Sequence, residues 1–393
     1  MRAFVRPLKL IVPLGAVAAL LWSVAPALSL TPYTPGAVDF EQPVPGVERV
    51  GTDTRARASG GDGDHALEGV VRFRSPVIEA PARFDLVGVA GELRPLEYRA
   101  RPEGDEWSGW VETANGDPVY FGGADELQVR SRGVRPEGRL HYVNVSGSDT
   151  FANRALNAAR GAVNSAFISV ASVASVATAG AIPPQPDMVG RGAWGAKRNG
   201  GGCKPRSGPA QGSVEAATVH HTVTGNDYSA DEAPGIVLGI CRFHRNGNGW
   251  NDIGYNFLVD RFGEVYVGRA GGVKKAVIGA HAAGVNSQTT GIASIGTHTS
   301  DPISDAAKDA FVSVIAWKLA LHGVKALGRT RIVSTGGSSS KFPSGKKVRV
   351  KRVFGHRRVG HTACPGGELK QALKRIATRA QARIAENGGL VPE

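Results

Sequence analysis

Two histidines and a cysteine in the C-terminal half of the chain have the residue types and spacing of a metal site. His220 ends an apolar run, and His356 and Cys364 lie eight residues apart in a segment punctuated by glycine and proline. Catalytic zinc sites take three protein ligands from His, Cys and carboxylate side chains and leave a fourth position open. The spacing alone leaves other roles open, because single histidines are often structural and Cys364 could be a buried thiol or a disulfide partner.

Predicted strands and helices alternate around these residues. The run 216–219 predicts a strand that leads into His220, and the capping box at 229–232 predicts the start of a helix. The turn at 260–263 predicts a β-hairpin, and a further strand and two more amphipathic helices follow it. This alternation is typical of an α/β fold in which a mixed central β-sheet is flanked by helices.

The chain before this domain has a different pattern. Short runs with period-two alternation recur from 66 to 147 and predict a small all-β, sandwich-like accessory domain without a catalytic cluster. The Pro-, Gly- and Asp-rich segment 30–65 predicts a flexible lead-in. The Ala-, Ser- and Val-rich segment 148–186 predicts a linker, after which the α/β domain spans 187–388.

The N-terminus has the three parts of an export signal. Three basic residues precede an uncharged run rich in Leu, Val and Ala, which ends in small residues before Leu30. This pattern predicts a signal peptide over 1–29, with an uncleaved membrane anchor as the alternative because the run is long enough to span a bilayer. Both interpretations predict that the rest of the chain is secreted or lies in the cell envelope.

The net charge of +13 is unevenly distributed along the 393 residues. Residues 187–393 carry 29 basic and 14 acidic side chains, whereas residues 10–186 are mildly acidic. A basic exported domain suits an anionic cell-wall surface. Export and the lack of a combined basic and aromatic recognition motif argue against nucleic acid as a partner. The sequence makes no prediction of the oligomeric state.

Five motifs occur in one order along 188–370 and resemble those of the peptidoglycan recognition protein family, which includes the type 2 N-acetylmuramoyl-L-alanine amidases. They are RGAWGA at 191–196, VHHT at 219–222, GWNDIGYNF at 249–257, GAH at 279–281, and GHR at 355–357 with TACPG at 362–366. The resemblance implies the zinc amidase fold and hydrolysis of the amide bond between N-acetylmuramic acid and L-alanine in peptidoglycan. The insertion at 328–347 and the accessory domain resemble exported actinobacterial-type members.

The family's functional residues correspond to five positions in this chain. The resemblance implies that His220, His356 and Cys364 bind Zn2+, and members that only recognise peptidoglycan lack one or more of these ligands. It also implies that Tyr255 is the catalytic tyrosine and that Thr362 lies beside the scissile carbonyl. A neutral threonine donates a hydrogen bond but supplies no charge, so stabilisation of the transition state depends more on the metal and the tyrosine.

The resemblance implies that His281 contacts the substrate, and we predict that His221, Trp250 and Asn256 also bind it. For His281 the alternative is a hydrogen-bonded structural histidine, and for Trp250 it is a structural or groove-lining position. The predicted partner is peptidoglycan, as a muramyl peptide at the cell-wall surface. The alternative function is a non-hydrolytic module that recognises peptidoglycan without cleaving it.

The remaining cysteines predict a covalent cross-link. With Cys364 assigned to zinc by the resemblance, Cys203 and Cys241 are left over. In an exported protein two spare cysteines suggest a disulfide, here between the loop before the first strand and the first helix of the α/β domain.

Overall fold

The computed structural model describes residues 38–50, 71–92, 94–113, 116–133, 135–145 and 182–388, all within one compact unit. The predicted signal peptide at 1–29 and the predicted linker up to residue 181 lie outside the described residues. Within the described part of the chain, no helix has the length and apolar composition needed to cross a membrane.

The N-terminal part is an all-β region, as the alternating pattern predicts. Its strands in the described residues are β1 (Val38–Pro43), β2 (Glu48–Arg49), β3 (Phe73–Arg74), β4 (Ile78–Val89), β5 (Leu96–Arg101), β6 (Val111–Thr113), β7 (Val119–Ser131) and β8 (Arg139–Asn144). They form one sheet in the order β1-β8-β4-β7-β3-β2, with β5 also paired to β7 and β6 to β5. The long strand β7 has partners on both edges, so one connected antiparallel sheet folds over the core.

The predicted lead-in belongs in part to this sheet. Residues 38–50 form β1 and β2, although their Pro and Gly content predicts a flexible segment. Strand β1 pairs with β8 along its whole length, and Phe40 stacks on Tyr142 with ring centroids 5.0 Å apart. An edge strand tolerates proline because its outward N–H groups need no partner in the sheet. The described residues between 38 and 145 are called the β-domain below.

The C-terminal part has the predicted mixed α/β architecture. Its described strands are β9 (Ala216–His221), β10 (Phe257–Val259), β11 (Val265–Val267), β12 (Thr289–Ser294), β13 (Arg329–Val333), β14 (Lys347–Lys351) and β15 (Val353–Gly355), and its long helices are α1 (Ala233–Arg242), α2 (Asp305–Leu321) and α3 (Gly367–Glu386). The central sheet has the order β11-β10-β12-β9-β15. Its pairs are parallel except for the predicted hairpin of β10 and β11, which makes the sheet mixed.

Side chains along β10 show how the two faces of this sheet are covered. Phe257 and Val259 pack in the apolar cluster that contains α2 and α3, whereas Leu258 packs in the cluster that contains α1. Successive residues of a strand point to opposite faces, so the helices cover both sides. Ser304 caps α2, because its hydroxyl accepts a hydrogen bond from the Ala307 N–H at 3.1 Å.

The insertion at 328–347 forms a hairpin of β13 and β14 with a folded tip. The tip contacts the loop that carries Cys364. The His361 N–H donates to the Ser339 carbonyl at 3.0 Å, and the Lys341 N–H donates to the Val359 carbonyl at 2.7 Å. The insertion therefore supports one wall of the predicted metal site.

Candidate metal centre

The structure brings the three predicted metal ligands together. His220 lies near the end of β9, and His356 directly follows the neighbouring parallel strand β15. Both residues therefore lie at the carboxyl ends of adjacent strands. Cys364 lies in the turn before α3, with its Sγ 3.7 Å from Nδ1 of His220. One donor atom from each of the three residues lies within 4.8 Å of the other two.

The protonation chemistry of this cluster fits a zinc ion. The three side chains are buried, with exposed fractions of 1%, 3% and 6% for His220, His356 and Cys364. Burial lowers the pKa of His220 well below its usual value and that of His356 to about 4, so both imidazoles are neutral, as ligands must be. Burial raises the pKa of the Cys364 thiol, and a cation at this position would favour the thiolate. Two imidazoles and a soft sulfur are a typical zinc donor set.

A third histidine, His281, orients the first of the predicted ligands. Nδ1 of His281 lies 3.0 Å from Nε2 of His220, which leaves Nδ1 of His220 directed at the sulfur of Cys364. Partners of this kind hold the ring orientation and tautomer of metal-binding histidines. The structure therefore gives His281 a positioning contact, while the predicted substrate contact stays a prediction.

Tyr255 and Thr362 lie next to the ligands. The Tyr255 ring is 5.3 Å from the His220 ring, and its hydroxyl donates to Oδ1 of Asp117 at 2.8 Å. Burial, followed by the nearby charge of Asp117, raises the pKa of Tyr255, so the phenol is neutral. The Thr362 hydroxyl oxygen accepts a hydrogen bond from the Cys364 N–H at 3.1 Å, which ties this half-buried threonine to the ligand loop.

The side chains of the other three predicted substrate-binding residues bond to other parts of the domain. Nδ1 of His221 accepts from the His298 N–H at 3.1 Å, on the opposite face of β9 from His220. The Trp250 ring packs on His244 with centroids 4.6 Å apart. The Asn256 amide joins the Val277 carbonyl to the Gly291 N–H at 2.9 and 2.8 Å. Their roles in substrate binding stay predictions.

Asp117 is a further residue beside the site that the sequence does not single out. This residue belongs to the β-domain, where no catalytic cluster is predicted, yet its carboxylate bonds the predicted catalytic tyrosine. The local pattern Gly116-Asp117-Pro118 indicates only a turn. A contact between residues 138 positions apart has no signal in one sequence.

The predicted disulfide is present. Cys203 and Cys241 are bonded, with both residues fully buried. The bridge joins the loop before β9 to the end of α1, as the assignment of the third cysteine to zinc predicts.

The buried histidines predict that the metal-free protein loses stability in mild acid. Burial lowers the pKa of four of them, to about 3 for His221 and His281, to about 4 for His356 and well below the usual value for His220. Above about pH 6.5 both the folded and the unfolded chain keep these rings neutral. Below it the unfolded chain binds protons that the folded chain refuses, which costs up to about 1.4 kcal/mol per histidine per pH unit.

Urea denaturation of chelator-treated protein at pH 7, 6 and 5 measures this loss. Carboxylates also titrate near the lower pH, so His281→Asn serves as the comparison variant. We expect its free energy of unfolding to fall less steeply as the pH is lowered, because one fewer proton is taken up on unfolding. A free energy that is constant from pH 7 to pH 5 would contradict the prediction.

Comparisons with known proteins point to one family. The family model described as Amidase_2, N-acetylmuramoyl-L-alanine amidase, matches residues 210–367. Peptidoglycan-recognition protein SC2 of Drosophila melanogaster is 34% identical over 160 residues, which is 40% of this chain and 71% of the relative. Peptidoglycan-recognition protein 1 of Holotrichia diomphalia is 32% identical over 161 residues, 40% of this chain and 77% of the relative. The solved structure of wild-type Drosophila PGRP-LB aligns with a TM-score of 0.37 at 27% identity, over 48% of this chain and 92% of that one.

Proposed function

Because the chain belongs to the family of peptidoglycan recognition proteins and type 2 N-acetylmuramoyl-L-alanine amidases, we propose that it is a zinc-dependent hydrolase. Its proposed substrate is the amide bond between N-acetylmuramic acid and L-alanine in peptidoglycan. The observation that carries this proposal is the complete donor set of His220, His356 and Cys364, whose donor atoms lie within 4.8 Å of one another. A protein that only recognises peptidoglycan has no need of such a buried set.

The proposed chemistry divides between the metal and the chain. A zinc ion held by the three ligands would polarise the scissile carbonyl and make water nucleophilic near neutral pH. The chain's own groups position the reactants. The Thr362 oxygen already accepts the Cys364 N–H, so its O–H remains to donate towards the carbonyl oxygen as negative charge develops there. His281 holds the His220 ring in the orientation that the metal requires.

Tyr255 contributes the second positioning group. Its ring lies against His220, and its single hydroxyl proton is directed at Asp117. The lone pairs of the hydroxyl oxygen then accept a hydrogen bond from the attacking water, which orients that water for attack.

The proposed location and partner follow from charge and from the export signal predicted at 1–29. The α/β domain carries an excess of basic side chains, which favours an anionic wall polymer. We therefore place the mature protein outside the cytoplasm, secreted or in the cell envelope, with muramyl peptides of the wall as its substrate.

A dye-release assay on labelled peptidoglycan, with and without a chelator, tests the proposal. We expect release by the purified protein, loss of release after chelation, and recovery on addition of Zn2+. Sedimentation with the same peptidoglycan measures binding separately. Binding without release in zinc-loaded protein would favour the non-hydrolytic recognition module instead.

A further inference from the structure

We propose that Asp117 of the β-domain is a positioning residue of the hydrolytic site, and that the docked β-domain is therefore part of the catalytic unit. This inference rests on the proposed amidase function. In the hydrolytic site, Asp117 and His244 together set the direction of the Tyr255 hydroxyl. Among the described residues, the Tyr255 hydroxyl has no hydrogen-bond acceptor from the α/β domain itself; its acceptor is Asp117.

Asp117 joins two buried side chains of the α/β domain. Its Oδ1 accepts from the Tyr255 hydroxyl at 2.8 Å and lies 3.0 Å from Nε2 of His244. Nδ1 of His244 accepts the Gly254 N–H at 3.1 Å, so the ring proton of a neutral His244 lies on Nε2 and is donated to Asp117. His244 is fully buried, and it is further fixed by the Trp250 ring at 4.6 Å.

This network determines what Tyr255 can do. A phenol has one hydroxyl proton, and Tyr255 donates it in a hydrogen bond to Asp117. The hydroxyl oxygen therefore presents only lone pairs to the reacting atoms. Without the carboxylate the hydroxyl would rotate and could donate to the same water that it should orient. Among the described residues Asp117 forms no hydrogen bond with His220, His356 or Cys364, so it acts on the reaction through Tyr255.

The loop that presents Asp117 is itself held by the α/β domain. Nδ2 of Asn248 donates to the Gly116 carbonyl at 2.6 Å, and its Oδ1 accepts the Gly91 N–H at 3.2 Å. Further along the interface, Arg242 forms an ion pair of 2.7 Å with Asp39, and both side chains are largely buried. The position of Asp117 is therefore set by several contacts that are independent of Tyr255.

The apolar part of the interface argues for fixed docking rather than a lid. Leu86, Tyr120 and Val143 of the β-domain belong to the same buried cluster as the inward face of α1. A Cβ atom on Gly239 of α1 would lie 2.2 Å from Leu86 Cδ1, and one on Gly88 of β4 would lie 2.5 Å from a Phe243 ring atom. Such close apolar packing resembles a protein core, and opening it would expose apolar surface to water.

A double-mutant cycle between Asp117 and Tyr255 tests the proposal in the full chain. With a soluble muramyl peptide as substrate, we expect Asp117→Ala to lower kcat roughly 10- to 100-fold, as do other partners that orient groups of a metal site. KM and zinc content should stay near wild-type values. Asp117→Asn keeps an acceptor oxygen and should recover part of kcat. Tyr255→Phe should lose as much as the double variant, because the two residues act as one unit.

The outcomes separate this inference from the proposed function. An unchanged or raised kcat in Asp117→Ala would overturn the inference, because it would mean that hydrolysis does not need the carboxylate. The inference would also be overturned if the losses of kcat in Asp117→Ala and Tyr255→Phe multiply in the double variant. If wild-type protein with zinc shows no hydrolysis, the proposed function fails. In that case the metal-free melting temperatures of wild type, Asp117→Ala, Tyr255→Phe and the double variant still show whether Asp117 and Tyr255 are coupled. Additive changes in melting temperature would contradict the contact between them.

Two glycines of α1 provide a matched pair for the docking requirement. Alanine at Gly239 forces buried Leu86 to shift, whereas a Cβ on Gly235 would meet Val145 at an ordinary 3.5 Å. We expect Gly239→Ala to lower kcat towards the Asp117→Ala value with zinc retained, and Gly235→Ala to keep wild-type kcat. Gly88→Ala gives the same test from the β-domain side if Gly239→Ala does not fold. Wild-type kcat in the folded variant would contradict a catalytic need for docking.

Discussion

Replacing Cys364 with serine is expected to abolish zinc binding and hydrolysis together. The sulfur lies 3.7 Å from Nδ1 of His220 and is one of the three donors of the buried cluster in the described part of the chain. A serine hydroxyl is shorter and does not ionise near neutral pH, so the site would keep two imidazoles and lose its charged ligand. We expect kcat/KM to fall by at least about 1000-fold, which corresponds to about 4 kcal/mol of transition-state stabilisation.

A histidine in the same loop provides the control. His361 is exposed, and its backbone N–H bonds to the insertion. His361→Ala should keep both zinc and activity, whereas His356→Ala should behave like Cys364→Ser. Metal analysis by mass spectrometry and hydrolysis of muramyl peptides measure the two effects on the same samples. Activity in metal-depleted Cys364→Ser would contradict the assignment of the ligands.

Removing the disulfide is expected to cause the largest loss of stability. Cys203 and Cys241 are 38 residues apart in sequence, and the bridge limits the freedom of this loop in the unfolded chain. The double substitution of both residues by serine should lower the free energy of unfolding by about 2–5 kcal/mol, the usual range for a native disulfide. The two cysteines belong to a different group of donor atoms from the three proposed zinc ligands, so zinc binding should persist below the melting temperature.

Urea denaturation of wild-type protein and the double-serine variant measures this difference. A thiol count provides an independent control. The denatured, unreduced wild-type protein should show one free thiol, since Cys364 is the remaining cysteine. Equal free energies of unfolding, or three free thiols before reduction, would contradict the bridge.

The central fold, and the three residues of the proposed ligand set, can be predicted from the sequence because their signals lie in short motifs. The hairpin of β10 and β11, for example, is specified by a single turn residue. Oδ1 of Asp260 accepts the N–H groups of Phe262 and Glu264, both at 2.9 Å. Likewise, His220 and His356 each lie within an ordered motif, and the adjacency of their parallel strands brings them together.

The interface between the β-domain and the α/β domain was not accessible in this way. Asp117 reaches Tyr255 across 138 positions, and nothing near Asp117 in the sequence specifies that contact. Strand β1 was hidden for a related reason, because its pairing with β8 outweighs a local composition that favours turns. The orientation of His281 towards His220 also depends on tertiary packing, so its positioning contact was visible only as an alternative.

Mass spectrometry of the products released from purified sacculi, with zinc analysis of the same protein sample, tests the central claim most directly. We expect stem peptides with a free L-alanine amino terminus, and glycan strands whose N-acetylmuramic acid keeps an intact lactyl carboxylate. Both products should disappear after chelation and return with Zn2+. Products cut at another bond, or intact sacculi after incubation with zinc-loaded protein, would contradict the claim that this chain is an N-acetylmuramoyl-L-alanine amidase.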